Sequence, residues 1–289
     1  MENIYPSMLE LVRKASTVIP NDVISALTNA LKNEDSTSLA YETLETIVKS
    51  AVLSGRGNLP ICQDTGSIFA VIRSDASMAE KIKESIIKAI RELTEKGILR
   101  QNCVDAITGT NTGDNTGGHV PQIHFEPSEG EPQVSLMLKG GGSENVSTQY
   151  SLPDDSLIAG RDLKGVRRCV LDAVFKAQGQ GCAPGIIGVC IGGDRASGYH
   201  IAKEQLFRKL DDINPVPELA RLESRLLEEA NSLGIGPMGL GGKTTLLGVK
   251  IAGACRHPAS FFVTVSYSCW ATRRYTARLD SSGRISAWL

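Results

Sequence analysis

The 289-residue chain reads as an α+β protein. Its first third repeats apolar residues at three- and four-residue spacing, which is the helical period. Short apolar runs bounded by turn residues cluster later and read as strands. The two kinds of element do not alternate in the regular rhythm of a doubly wound sheet.

Taken in order, MLELVRKAS, NDVISALTNALKN and SLAYETLETIVKSAVLSG are predicted helices, and Gly55 stops the third. The loop RGNLPICQDTG leads into a strand candidate, SIFAVIR, and an amphipathic helix is predicted over 78–96. TGTNTGDNTGGHVP is polar and turn-forming. QIHFEP and QVSLMLK flank Ser-Glu-Gly-Glu, a pattern that predicts a hairpin. The glycine-rich KGGGSEN comes next. Helices are then predicted over 161–176, 196–210 and 218–233, the last with Leu219, Leu222, Leu226 and Leu233 on one face. TTLLGVKIAG, SFFVTVSYS and the tail RISAWL complete the strands. No internal repeat or obvious linker interrupts the chain, so one domain over 1–289 is expected.

A formal charge of −1 gives no broad footprint for nucleic acid or a membrane surface. No apolar run has the length of a bilayer span. The N-terminal MENIYPSMLELVRKAS lacks the apolar core of a secretory signal, so a reducing, cytoplasmic location is expected. There the seven cysteines are poor candidates for disulfides, and their odd number argues against a closed framework. No C-x-x-C pair occurs, which weakens structural zinc and a thioredoxin-like motif. Buried thiols, a reactive thiol, or ligands assembled by folding remain.

Two glycine motifs are decoys. GIGPMG matches G-x-G-x-x-G, but a helix precedes it and a strand follows, the reverse of a dinucleotide fingerprint. GGKTT suggests a phosphate loop, but the required first glycine is Pro237 and no helix follows. Cys169 and Cys190 lie in apolar runs and read as core, and Cys103 and Cys255 have no supporting context. Cys62, Cys182 and Cys269 lie instead in PICQDTG, GQGCAPG and SYSCW, which are turn or loop settings. Loops offer a thiolate together with free N–H groups, as iron–sulfur clusters require, although spacing alone does not show that the three meet. Near them, Asp64 is either a general acid–base or a turn cap. His257 before a proline, and Arg100 after a helix, have equally plain readings as a loop residue and a solvated cation.

PICQDTG, KGGGSEN, GCAPG, GIGPMGLGGKTT, and RHPAS leading into VSYSCWATRR occur in that order over most of the chain. Together they resemble the class I fumarate hydratases and the α subunits of L-tartrate dehydratase and two-subunit fumarase. The resemblance implies an iron–sulfur hydro-lyase α-type domain with a 4Fe–4S cluster on Cys62, Cys182 and Cys269. One iron would stay open as a Lewis acid for a small dicarboxylate. It further implies that Gln63, Asp64, Arg100 and Gly141 contact substrate, and that Asp64 and His257 are catalytic. Single-chain members carry a second domain whose residues complete the site. RISAWL falls about where their first domain ends, so a separate β subunit is expected, in an assembly such as α2β2. Fumarate is favoured over L-tartrate because KGGGSEN is closer to the fumarase version of that segment. A non-enzymatic iron–sulfur sensor is the alternative of another class, and the near-neutral charge lends it no support.

Overall fold

The computed structural model describes residues 3–289. In chain order the elements are α1 (Ile4–Thr17), α2 (Asn21–Asn33), α3 (Leu39–Gly57), β1 (Ser67–Ser74), α4 (Ala76–Glu95), β2 (Gln122–Pro127), β3 (Gln133–Lys139), α5 (Gly141–Asn145) and β4 (Thr148–Ser151). They continue with α6 (Leu163–Ala177), β5 (Gly185–Ile191), α7 (Arg195–Gln205), α8 (Pro217–Ser232), β6 (Leu246–Gly253), β7 (Phe262–Ser268), β8 (Arg273–Leu279) and β9 (Ile285–Trp288). The α+β class holds. The chain forms two compact units.

The first unit combines the N-terminal segment through Pro20 with Ser50–Gly141 and Ala271–Leu289. Its five strands run in the order β2-β1-β3-β8-β9. Ile68, Phe69, Ala70, Val71 and Ile72 of β1 are all buried, as a continuous apolar run in a central strand requires. Helices α1 and α4 pack on each other and on this sheet. Met8, Leu11 and Val12 of α1 meet Ile82, Ile86 and Ile90 of α4 in one core, each fully buried. Asp75 starts α4 by accepting the Met78 N–H.

The expected hairpin of QIHFEP with QVSLMLK does not form. Those segments, β2 and β3, instead flank β1, parallel and antiparallel respectively. The α4 crossover places β2 parallel to β1, so β1 occupies the position between them that a hairpin would have closed. This is a βαβ unit that the irregular rhythm concealed. RRYTARL, not anticipated as a strand, is β8 and pairs with β3.

The second unit holds Asn21–Lys49 and Gly142–Trp270. Its four strands run β4-β7-β5-β6, with β5 parallel to β6 and antiparallel to β7. Cys169 and Val170 of α6, Leu226 of α8, Ile187 of β5 and Val263 of β7 share its core. Cys169 and Cys190 are fully buried, as their apolar context predicted. Of the four leucines expected on one face of α8, Leu222 and Leu226 are buried, whereas Leu233 is exposed because the helix stops at Ser232. None of the seven cysteines is in a disulfide. No helix among the described residues is long and apolar enough to cross a membrane.

One buried polar cluster stiffens this unit. Glu223, 7% exposed, accepts from Arg208 Nη1 at 2.8 Å, Asn214 Nδ2 at 2.7 Å and the Ile251 N–H at 2.7 Å. Asp212 accepts from Arg208 and from Lys250, itself 3% exposed. Burial pushes the Asp212 carboxyl up, but hydrogen bonds from Arg208 and Lys250 outweigh it and hold it below its ordinary value.

Glu223→Ala strands three buried donors and is expected to cost about 3–5 kcal/mol in urea denaturation. Asp212 contributes stability above its unfolded value of about 3.9, and that contribution is lost as pH falls through the depressed folded value. Stability measured between neutral and strongly acidic pH should therefore fall less steeply in Asp212→Asn than in the parent.

Candidate functional site

The loop after α3 carries the first cluster of polar groups. Cys62 is half-buried and accepts the Asp64 N–H at 3.4 Å. Asp64 is placed by its own carboxylate: Oδ1 accepts the Gly66 N–H and Oδ2 the Gly141 N–H, each at 2.7 Å. The first bond is a local turn cap, as the plainer reading of Asp64 expected. The second ties the loop to a segment 77 residues away. The Asp64 carbonyl accepts from Arg273 Nη1 at 2.7 Å.

Gly66 explains the glycine of PICQDTG. Its φ is +80°, and a methyl group there would stand 2.4 Å from the Lys139 carbonyl oxygen. The neighbouring Thr65 fixes Arg100 through reciprocal 2.7 Å bonds: its hydroxyl donates to the Arg100 carbonyl and accepts the Arg100 N–H. Asn115, 3% exposed, closes the same loop. Its Oδ1 accepts the Asn102 and Cys103 N–H groups, and its Nδ2 donates to the Arg100 carbonyl. The side chains of Gln63 and Arg100 are exposed, and the Arg100 guanidinium engages no described residue.

The first unit thus brings together Cys62, Gln63, Asp64, Gly141 and the Arg100 main chain. Beside them lies a cavity of about 480 Å³, lined by Asp64, Gly141, Asn102, Cys103, Asn115 and Gln122 among others. That volume suits a small ligand.

In the second unit, Cys182 precedes β5 and Cys269 follows β7. The two strands are antiparallel, with Ile186 opposite Ser268, so both cysteines lie at the same end of the sheet. The Trp270 N–H donates to the Cys182 carbonyl at 3.2 Å. The Tyr267 ring fills the space beside this turn. Methyl groups on Gly181 and Gly185 would approach its atoms to 2.5 and 2.3 Å, which accounts for both glycines of G-C-A-P-G.

The Tyr267 hydroxyl is buried without a hydrogen-bond partner among the described residues. Burial first, and then the Cys269 and Cys182 sulfurs, push this phenol up. Leaving such a donor unsatisfied costs roughly 1–3 kcal/mol, so an acceptor at this end of the sheet would relieve it. Cluster sulfur held by Cys182 and Cys269 would be such an acceptor, so the residues here fit that group. The Asp64 N–H on the Cys62 sulfur supplies the same kind of interaction in the first unit.

His257 stands apart from the cysteine pair. It lies in the exposed turn between β6 and β7, at the opposite end of β5. Seven strand residues separate the two ends, about 20 Å at strand rise. His257 Nδ1 accepts the Ala259 N–H at 3.1 Å, so a neutral ring carries its proton on Nε2.

The phosphate-loop decoy has a structural explanation. The N–H groups of Lys243 and Thr244 point at an anion, which is the Glu34 carboxylate at 2.7 and 3.1 Å. Lys243 Nζ donates to the Asn33 carbonyl. GIGPMG is a tight passage of short 3-10 helix between α8 and β6, as its context predicted.

Arg273, Asn115 and Tyr267 were not anticipated. Arg273 and Tyr267 sit in VSYSCWATRR, but burial of a charged or phenolic group cannot be read from a motif. Asn115 was hidden in a run of turn-formers; its φ of +58° is one that asparagine tolerates.

Residues 6–278 match the family model described as fumarate hydratase (Fumerase). A protein of Geobacillus stearothermophilus, provisionally named a class I fumarate hydratase, is 49% identical over all of this chain and 57% of its own length. The chain therefore spans little more than half of that relative. A Methanocaldococcus jannaschii protein provisionally named an L(+)-tartrate dehydratase subunit alpha is 36% identical, over 96% of this chain and 98% of its own length. The L(+)-tartrate dehydratase subunit alpha of Escherichia coli K12 is 32% identical, over 90% and 86% respectively.

Gly66→Ala is expected to cost at least about 2 kcal/mol by thermal or urea denaturation, because it combines positive φ with a backbone collision. Gly141→Ala should stay within about 1 kcal/mol of the parent. There the new methyl meets only Asp64 Oδ2, at 3.7 Å, an ordinary contact.

Proposed function

Because the chain belongs to the class I fumarate hydratase family, we propose that it forms the iron–sulfur part of a hydro-lyase interconverting fumarate and L-malate. The observation that carries this reading is the Asp64 clamp. It holds a carboxylate, a cysteine and the exposed Gln63 in one loop, against the Gly140–Gly141 backbone and beside a ligand-sized cavity.

In this reading Cys62, Cys182 and Cys269 hold a 4Fe–4S cluster. Bound there, the cluster supplies a Lewis acid through an iron that three cysteine ligands leave open.

The chain's own groups supply part of the rest. Each Asp64 oxygen uses one acceptor site on a backbone N–H and keeps another for a proton, so the carboxylate can take or return the hydroxyl proton without leaving its clamp. The Arg100 guanidinium, exposed and unpaired, suits a substrate carboxylate by bidentate bonding. Gln63 offers both an amide donor and an acceptor. Gly141, lacking a side chain, lets an acid approach the main chain closely. His257, catalytic by the family resemblance, lies about 20 Å along the sheet from the cysteine end of the same chain. A β subunit of the same hydro-lyase would complete carboxylate binding and supply the C3 base. Assembly as α2β2 in the cytoplasm fits this reading.

L-tartrate dehydration is the second reading. It is favoured by the alpha-subunit relatives that this chain covers almost end to end. Both acids are small and dicarboxylic, and both reactions move water at a carbon next to a carboxylate.

The test is anaerobic reconstitution with iron and sulfide, together with a co-purified β subunit, followed by assays on fumarate and L-tartrate. Fumarate turnover with cluster absorbance is expected; turnover of tartrate alone would move the assignment to the second reading, and no cluster at all would sink both. Cys182→Ser should abolish the cluster absorbance and Cys190→Ser should keep it. Asp64→Asn should lower kcat by about 10²–10⁴ with absorbance retained. Turnover within a few-fold of the parent would leave Asp64 no proton role.

A further inference from the structure

Arg273 opens β8 and is the largest fully buried side chain among the described residues, at 1% exposure. Among the described residues its side chain makes one hydrogen bond, from Nη1 to the Asp64 carbonyl, at 2.7 Å. Its Nε is also buried and has no hydrogen-bond partner among the described residues. No carboxylate among the described residues pairs with it. The strand register sets Arg273 opposite Leu138, one residue before the Lys139 carbonyl on which Gly66 rests.

Burying a guanidinium against one neutral acceptor is expensive, and an apolar residue would fill the space at lower cost. If the group served packing alone, its charge and spare donors would be a pure penalty. The one thing this side chain does is hold the main chain at Asp64. That carbonyl belongs to the residue whose two carboxylate oxygens clamp Gly66 and Gly141. Rotation of the Asp64 peptide would swing the carboxylate out of both bonds and move the adjoining Cys62–Gln63 segment with it.

We propose that Arg273 is a positioning residue for the hydro-lyase site, fixing the Cys62–Gly66 loop through the Asp64 carbonyl so that the carboxylate keeps its aim. Its link to catalysis rests on the function proposed above, while its link to the loop does not.

The experiment uses Arg273→Met, which preserves bulk without donors, and Arg273→Lys, which preserves the charge and one donor group. Amide hydrogen exchange on the full chain reads the loop directly. Arg273→Met should speed exchange at the Gly66 amide about tenfold or more, the effect of losing a charged hydrogen bond. Exchange in β1 and β3 should stay unchanged, and Arg273→Lys should fall between Met and the parent. In the reconstituted complex, Arg273→Met should lower kcat more than it changes KM, and Arg273→Lys should partly restore kcat.

Loop exchange and kcat both within twofold of the parent would overturn the proposal. So would faster exchange across β1 and β3 together with the loop, which marks a merely structural role. If Arg273→Met does not fold, Arg273→Lys decides on the same two readouts. Loosening confined to the loop in a complex inactive on every acid would keep the positioning role and reject the hydro-lyase reading.

Discussion

One carboxylate receives a backbone N–H from each of two loops, and the paths of both loops depend on it. Asp64 bonds Gly66 within its own turn and Gly141 across a sequence gap of 77 residues. Neither bond would hold a loop alone, since a single net hydrogen bond contributes about 1 kcal/mol. Their value lies in sharing one rigid group. The β1–β3 pairing brings Ser67 opposite Lys139, so the two loops leave the sheet side by side. Gly66 then lets the backbones touch. Sheet register, glycine and carboxylate each fail without the other two.

The second unit reaches its site by a different route. Antiparallel β5 and β7 carry Cys182 and Cys269 to one end, and packing of the Tyr267 ring against two glycines shapes the turn between them. Elsewhere in this unit, the Glu223–Arg208–Asp212–Lys250 cluster anchors α8 and the segment after α7 to β6 by hydrogen bonds. Buried charge in this unit is fully partnered at Glu223, whereas the phenol of Tyr267 is left with an open donor. The contrast separates a group that holds the fold from one placed beside the Cys182 and Cys269 sulfurs.

Helices were legible because each buries one stripe: the periodicity of α2, α4 and α8 survives in the buried residues themselves. Pairing was not legible. QIHFEP and QVSLMLK are close in sequence and separated by turn-formers, yet β1 inserts between them, and only long-range contacts could reveal that. RRYTARL escaped notice as a strand because strand patterns are read from apolar residues, and this one begins with two buried arginines. The candidate site was legible where local chemistry is distinctive, as in the Cys62–Gly66 turn. It was illegible where the determining fact is burial, as with Arg273 and Tyr267, or strand register, which alone sets Cys182 and Cys269 at one end of the sheet and His257 at the other.

The Glu34 carboxylate in the Lys243–Thr244 turn has a consequence for how such turns are recognised. A row of backbone N–H groups that could cradle a phosphate already has a tethered occupant. A tethered group competes at an effective concentration on the order of millimolar. Any free anion must exceed that before it gains a place, and in doing so it would release the C-terminal end of α2 from the loop. The turn is thus a latch closed from within, and its glycines and lysine record intramolecular wiring where a motif scan would read an invitation to nucleotides.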